Sequence, residues 1–370
     1  MPQCNMIADR EVGMSDRVNR ILDRNGKSHK GELVAKARLP EMKEYDVVLA
    51  SGAEHLKARF ERHGYRVYIS DTNYDEKRFF PNADIYARIA EVKELSDRKV
   101  LVVQSCTGSG PVETEFFTTS DRVVELLLLL DILKSPVEVV KVGHKEYEET
   151  PVVPPAKVEV LLTFQPFALQ DKSFETGEAA SGHWAMDQIA RSCNKVWAIN
   201  PHITEDLKWV KDLEDRGLFE HIDVTGDLVR FGAKAFGFDD YKVVAPDEGA
   251  QERYDVNGYG KTREDSYTIE LRGELAVEGK NVIVLDDLTK SGSTLLKTAR
   301  RLYDQGAKDV GMAVVHVLPL MKRGEELLEN LFEKSNGKIV TSNTVKTKIF
   351  CEENPNLSYN VVDTIARKFS

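Results

Sequence analysis

The chain has 370 residues, 41% hydrophobic and 30% charged, which is the balance of a soluble globular protein with length for two ordinary α/β domains. A net charge of −10 argues against a general nucleic-acid surface, and four scattered cysteines (Cys4, Cys106, Cys193, Cys351) with no Cys-x-x-Cys pair signal neither zinc nor a disulfide framework. The longest apolar run, residues 123–133, contains Glu125 and Asp131 and is too short and too charged to span a bilayer; the N-terminus shows no apolar signal segment. The expectation is a cytoplasmic protein with no membrane attachment.

Residues 1–45 are polar and charged, with one short amphipathic stretch around 16–24 (Val18, Ile21, Leu22), and read as an extension outside the catalytic core. From residue 46 strands and helices alternate. Strands are expected at 47–50, 65–69, 85–89 and 100–104, and helices at 54–63 and 114–134; within the second, residues 126–130 are too apolar all round for a surface. Four prolines (Pro136, Pro151, Pro154, Pro155) and an acidic cluster (Glu146, Glu148, Glu149) mark 135–157 as an inserted loop or β-excursion. Strands at 158–164 and 196–199 flank a helix at 179–193. After Gly232 come strands at 243–245, 266–271 and 282–285, a helix from about 295, and closing strands at 311–317, 338–341 and 360–362. This alternation means α/β architecture with two mainly parallel sheets flanked by helices. It divides the chain into an N-terminal domain over 46–228 and a C-terminal domain over 229–370.

The stretch that organises the chain is 281–302. Val282, Ile283, Val284 and Leu285 form a short apolar run that ends in Asp286 and Asp287; Lys290, Ser291, Gly292, Ser293 and Thr294 follow, and then an amphipathic helix with Leu295, Leu296, Ala299 and Leu302. A strand, a small-residue loop and a helix aim backbone N–H groups at an anion, most often phosphate. Carboxylates at the end of the strand can accept bonds from sugar hydroxyls or hold Mg²⁺ through water. Upstream, Gly260-Lys261-Thr262 looks like the end of a P-loop, but Asp255 stands where its first glycine belongs and no hydrophobic strand precedes it. What remains there is Lys261 and Arg263 on a glycine-flanked loop, the kind of paired cation that phosphoryl transfer uses and that is otherwise an ordinary surface feature.

The 281–302 stretch resembles the ribose-phosphate loop of type I phosphoribosyltransferases and of phosphoribosyl pyrophosphate (PRPP) synthetases, and the rest of the chain separates the two. Phe80-Pro81-Asn82-Ala83-Asp84 is similar to the synthetases' adenine-contacting segment, which reaches into a neighbouring subunit's site. Val103-Gln104-Ser105 with 125–134 resembles their Gln-Ser strand and leucine-rich helix. Residues 166–172 with Gly177-Glu178 resemble their ATP loop, Ile199-Asn200-Pro201-His202 their Met-Asp-Leu-His, and Pro246-Asp247-Glu248-Gly249 their Pro-Asp-x-Gly. The ordered match covers roughly 47–362, and phosphoribosyltransferases lack the ATP-side segments.

The resemblance implies transfer of the diphosphoryl group of MgATP to the C1 hydroxyl of ribose 5-phosphate, giving PRPP and AMP. It assigns Phe80, Asn82, Asp84, Gln170, Asp171 and His202 to ATP, and Asp286, Asp287 and Lys290–Thr294 to the ribose phosphate. Lys261, Arg263 and His202 become the catalytic set, with His202 and Asp247 at Mg²⁺. It also implies a homo-oligomer with shared ATP sites. Several positions depart from the family pattern. Leu169 replaces an arginine, Asn200 an aspartate, Lys290 and Ser293 the Asp and Gly of Asp-Thr-Gly-Gly-Thr, and Asn82 and Asp84 an Asp and a Glu; the sequence ends at Ser370 without the family's Ser-Val-Ser-x-Leu-Phe allosteric tail. Activity without inorganic phosphate is therefore expected. A larger acceptor such as ADP-ribose, a non-catalytic regulatory homologue, and a phosphoribosyltransferase with an appended domain are the competing readings.

Overall fold

A computed structural model describes residues 43–110, 113–203, 207–246, 277–320 and 323–369. The expected helix around 16–24 and strand at 266–271, together with Asp247, Lys261 and Arg263, lie outside the described residues.

The first sheet has six strands in the order β2-β1-β3-β6-β7-β8: β1 Tyr45–Leu49, β2 Val67–Ile69, β3 Lys99–Ser105, β6 Lys157–Phe164, β7 Lys195–Ile199 and β8 Phe219–Ile222. All of its pairings are parallel. The second sheet, also parallel, has five strands in the order β13-β12-β11-β10-β9: β9 Tyr241–Val244, β10 Asn281–Thr289, β11 Asp309–Val317, β12 Ile339–Ser342 and β13 Ser358–Tyr359. Strands covered on both faces have no solvent side, so their sequences read as continuous apolar runs rather than alternations. Val47, Val48 and Leu49 of β1 and Val282, Ile283 and Val284 of β10 are each fully buried.

Helices α1 Lys57–Arg62, α2 Thr119–Lys134, α3 Ser181–Ser192 and α4 Lys208–Asp215 precede α5 Thr225–Phe236, α6 Ser293–Asp304, α7 Gly324–Lys334 and α8 Val362–Lys368. Helix α5 runs through position 228 and packs on β10, β11 and β12. Gly232 allows this close approach, since a Cβ there would lie 2.8 Å from Val340 Cγ2. One apolar cluster draws residues from both sheets, including Val47, Leu161, Ile283, Ala313 and Ile365. A smaller one of Phe164, Ala168 and Val345, with Leu288 and Leu318 against it, lies under the strand ends that carry the site.

The segment 135–157 forms the antiparallel hairpin β4 Val137–Gly143 and β5 Glu146–Pro151. Three expectations need correction. Residues 85–89 are not a strand: Ile85 makes one isolated bridge to Phe79, because the chain turns back on itself through the Phe80–Asp84 turn instead of joining the sheet. The last strand is Ser358–Tyr359, and Val362 already opens α8. Helix α2 begins at Thr119, where Thr118 and Asp121 form a capping box, and it is not buried on every apolar side: Leu126, Leu129, Leu130 and Leu133 are buried, but Val124 and Leu128 are exposed. No layer covers that outer face within the described chain.

Candidate active site

Strand β10 continues past its apolar run to Thr289, so Asp286 and Asp287 lie inside the ladder with β11 and not at its tip. Both are buried, at 8% and 5% exposure, in a place where carboxylates need partners. Neighbouring residues of a strand face opposite sides, so the two acids serve different surroundings. Asp287 faces the first sheet, where its Oδ2 lies 2.7 Å from Nδ1 of His202.

His202 follows β7, the strand that ends at Ile199. A short turn carries the chain from β7 to the histidine, and its polar groups are held on several sides. Asn200, in the left-handed region at φ +34°, donates from Nδ2 to Asp223 at 2.8 Å and accepts the Val224 N–H at 2.8 Å. Gln165 Nε2 donates to the His202 carbonyl at 2.9 Å. Asn200 is therefore engaged with the first sheet's own loops, at a position where the family resemblance implied a metal-side carboxylate. The two sheets meet at an imidazole–carboxylate pair 85 residues apart in sequence.

After β10 the chain makes the small-residue loop. Thr289 Oγ1 accepts the Gly292 N–H at 3.0 Å, and Gly292, at φ +68°, is the left-handed residue that starts α6. Its lack of a Cβ is required twice, by that φ and by Leu331, whose Cδ1 would lie 2.2 Å from such an atom. Ser293 and Thr294 are exposed in the first turn of α6, where backbone N–H groups have no intrahelical acceptor. Lys290 and Ser291 are half-buried beside them. This end of the second sheet presents donors and helix-terminal positive charge to an anion.

The residues expected to form a nucleotide loop, Gln170 and Asp171, are held by bonds to their own neighbours and to Trp209. Gln170 donates to Glu178 at 3.0 Å and accepts the Ser181 hydroxyl at 2.8 Å, while Asp171 is buried and its carbonyl accepts the Trp209 N–H at 3.1 Å. Glu178 gathers the Phe174 and Glu175 N–H groups at 2.7 and 2.9 Å, and these bonds hold its carboxyl below the usual range. Phe80, Asn82 and Asp84 form a separate turn on the surface. There Phe80 stacks edge-on to Tyr86 and Asn82 Nδ2 donates to Asp84 at 2.5 Å. The side-chain bonds of Asn82 and Asp84 run between the two residues of that turn.

Sequence reasoning did not single out Gln165, Asp223 or His316. His316 on β11 is 1% exposed and bonds to Thr344 and to the carbonyls of Ile199 and Asn200. Its signal in the sequence is one histidine in an apolar strand, which is indistinguishable from a core residue until the sheets are put together.

The chain matches the family described as phosphoribosyl transferase domain over residues 243–351. It is 28% identical to a ribose-phosphate pyrophosphokinase of Methanosarcina mazei over 285 residues, covering 72% of this chain and 79% of that protein. It is 29% identical to a ribose-phosphate pyrophosphokinase of Sulfurisphaera tokodaii, covering 73% and 84%. The crystal structure of phosphoribosylpyrophosphate synthetase from Mycobacterium smegmatis superposes with a TM-score of 0.61 at 19% identity, over 88% of this chain and 98% of that one, and so shares the fold. The family model, the relatives and the fold agree in what this chain is similar to, the ribose-phosphate pyrophosphokinases.

Proposed function

We propose that the chain makes PRPP and AMP from MgATP and ribose 5-phosphate. The oxygen of the C1 hydroxyl bonds to the β-phosphorus of ATP as the bond from that phosphorus to the α-phosphate oxygen breaks, so that AMP leaves. The observation that supports this reading most directly is the 2.7 Å His202–Asp287 pair, which joins the nucleotide-side turn after β7 to the ribose-side strand β10. Transfer between two bound substrates is governed by positioning and charge neutralisation, and both require the two half-sites to share an edge.

In this reading the 290–294 loop and the N-terminus of α6 bind the 5-phosphate, and Asp286 and Asp287 take the ribose hydroxyls. Gln170 and Asp171 shape the nucleotide side, and Lys261 and Arg263 close over the transferring group. Among the described residues no cluster of three His, Cys, Asp or Glu side chains suits a metal ion. Mg²⁺ prefers one or two carboxylates plus substrate phosphates to an all-protein cage. His202, Asp287 and Asp247 would then hold Mg²⁺ with the nucleotide, and the ion would neutralise phosphate charge. The exposed Phe80–Asp84 turn is proposed to serve a neighbouring subunit's ATP site. The exposed valines of the hairpin (Val137, Val139, Val140, Val142) and of α2 support a homo-oligomer, because isolated monomers seldom leave such apolar surface open. The division between the two halves is proposed to fall ahead of α5. Among the described residues no helix is long and apolar enough to cross a membrane, and we propose a cytoplasmic location.

The test is AMP release from MgATP with ribose 5-phosphate, in parallel with ADP-ribose, with Lys261→Ala as control. AMP with ribose 5-phosphate that is lost in the variant supports the proposal. AMP only with ADP-ribose moves the acceptor, and a folded chain that forms none with either is a regulatory homologue.

A further inference from the structure

The turn that carries His202 contains a conformation that does not hold itself. Asn200, at φ +34°, lies in the left-handed region, which a non-glycine residue keeps only where its surroundings over-determine it. Part of that determination is local: the Asn200 N–H donates to Ile222 at 3.1 Å, and its side chain is tied to Asp223 and Val224. The remainder comes from the other sheet. His316 Nε2 lies 3.1 Å from the carbonyl oxygens of both Ile199 and Asn200. Two carbonyls can only accept, so Nε2 carries the proton. Nδ1, 2.9 Å from Thr344 Oγ1, is then the lone-pair nitrogen and accepts the hydroxyl. The ring is buried and meets the edge of Phe164 at 5.0 Å, so every polar atom of this imidazole has a partner and its orientation is fixed.

His316 pairs in register with Leu288, the residue after Asp287 on β10. One side chain of the second sheet therefore grips the backbone of the turn two residues before His202, beside the strand that carries His202's partner. We infer that His316 is a positioning residue: by holding the Ile199 and Asn200 carbonyls against β11 it fixes His202 at hydrogen-bond distance from Asp287. It touches no reacting atom. Its effect on turnover rests on the function proposed above, while its effect on the His202–Asp287 geometry does not.

The experiment compares His316→Asn, whose amide is too short to reach the two carbonyls, with His316→Gln, whose amide donor falls close to the position of Nε2. Both keep a polar group at the buried site, and circular dichroism checks folding of the full-length chain. The first readout, independent of catalysis, is the ring ¹⁵N NMR shifts of His202 in histidine-labelled protein. They are expected to move in His316→Asn and to return toward the parent values in His316→Gln. The second is steady-state AMP release: kcat is expected to fall about tenfold in His316→Asn with both KM values little changed, and to recover in His316→Gln. In a His202→Ala background the His316→Asn substitution should add almost nothing. Unchanged His202 shifts in a folded His316→Asn chain would overturn the inference, as would an equal fall of kcat in the His202→Ala background. Absence of AMP from the parent chain would sink the proposed function and leave the NMR comparison to decide the positioning role.

Discussion

Replacing Gly292 by alanine perturbs the phosphate loop at one atom, and the structure gives the size of the effect. An L-residue held at φ +68° costs about 1–2 kcal/mol relative to glycine. The new Cβ would also lie 2.2 Å from Cδ1 of Leu331, a fully buried side chain with no open space to retreat into, and overpacking of this kind costs about 1–3 kcal/mol. The sum is a loss of about 2–5 kcal/mol, read as the shift of the urea unfolding midpoint. The two contributions separate in a double-mutant cycle with Leu331→Ala, which alone costs about 2–5 kcal/mol through the cavity it leaves. Because that cavity receives the added methyl, the double variant should be about 1–3 kcal/mol more stable than additivity requires, the φ cost remaining. The KM for ribose 5-phosphate should rise in both chains carrying Gly292→Ala. Additive losses within about 0.5 kcal/mol, or a Gly292→Ala chain as stable as its parent, would refute the account of this loop.

Asp287→Asn keeps the shape and an acceptor for His202 but removes the buried charge, and AMP release should fall about a hundredfold with little change in the unfolding midpoint; kinetics within a factor of two of the parent would contradict the site. Burial lowers the His316 pKa from 6.5 to about 4, so the folded chain resists the proton that the unfolded chain takes up. Stability is then full above about pH 6.5 and declines as pH falls toward 4, by roughly 3 kcal/mol from this group, and His316→Gln should remove that part of the acid dependence. Equal slopes of unfolding free energy against pH in the two chains would show the imidazole to be solvated. Replacing Val139 and Val142 on the exposed hairpin by lysine should shift the sedimentation profile to a smaller species without unfolding the chain, and an unchanged assembly would free this surface from any subunit role.

Much of the fold was legible because buried parallel strands advertise themselves. The runs at 100–104, 158–164 and 282–285 are mostly apolar, broken only by Gln104, Glu159 and Thr163, and each lies near its expected place. The stretch 208–236 carries no such signal: β8 has Glu220 and His221 in its centre, and Gly232 reads as a break although it sits inside α5 to let Val340 approach. The reading of 85–89 failed in the opposite direction, since the alternation of Ile85, Ala87 and Ile89 fits a strand only where a neighbouring strand is offered. At the site, the acids and the small-residue loop were visible because both lie in one continuous stretch. Gln165, Asp223 and His316 were not, because their roles exist only where β6, β7, β8 and β11 end together, and no local pattern encodes a contact between residues 117 positions apart.

The central claim is that the β,γ-diphosphoryl group of ATP moves as a unit to C1 of a ribose phosphate. It is tested most directly by supplying MgATP labelled at the β-phosphorus with ribose 5-phosphate and following the label. The account predicts label in the sugar product in proportion to unlabelled AMP, and loss of both in Lys261→Ala. Label retained in ADP, with only the γ-phosphoryl group transferred, or no transfer by a folded chain, would contradict it.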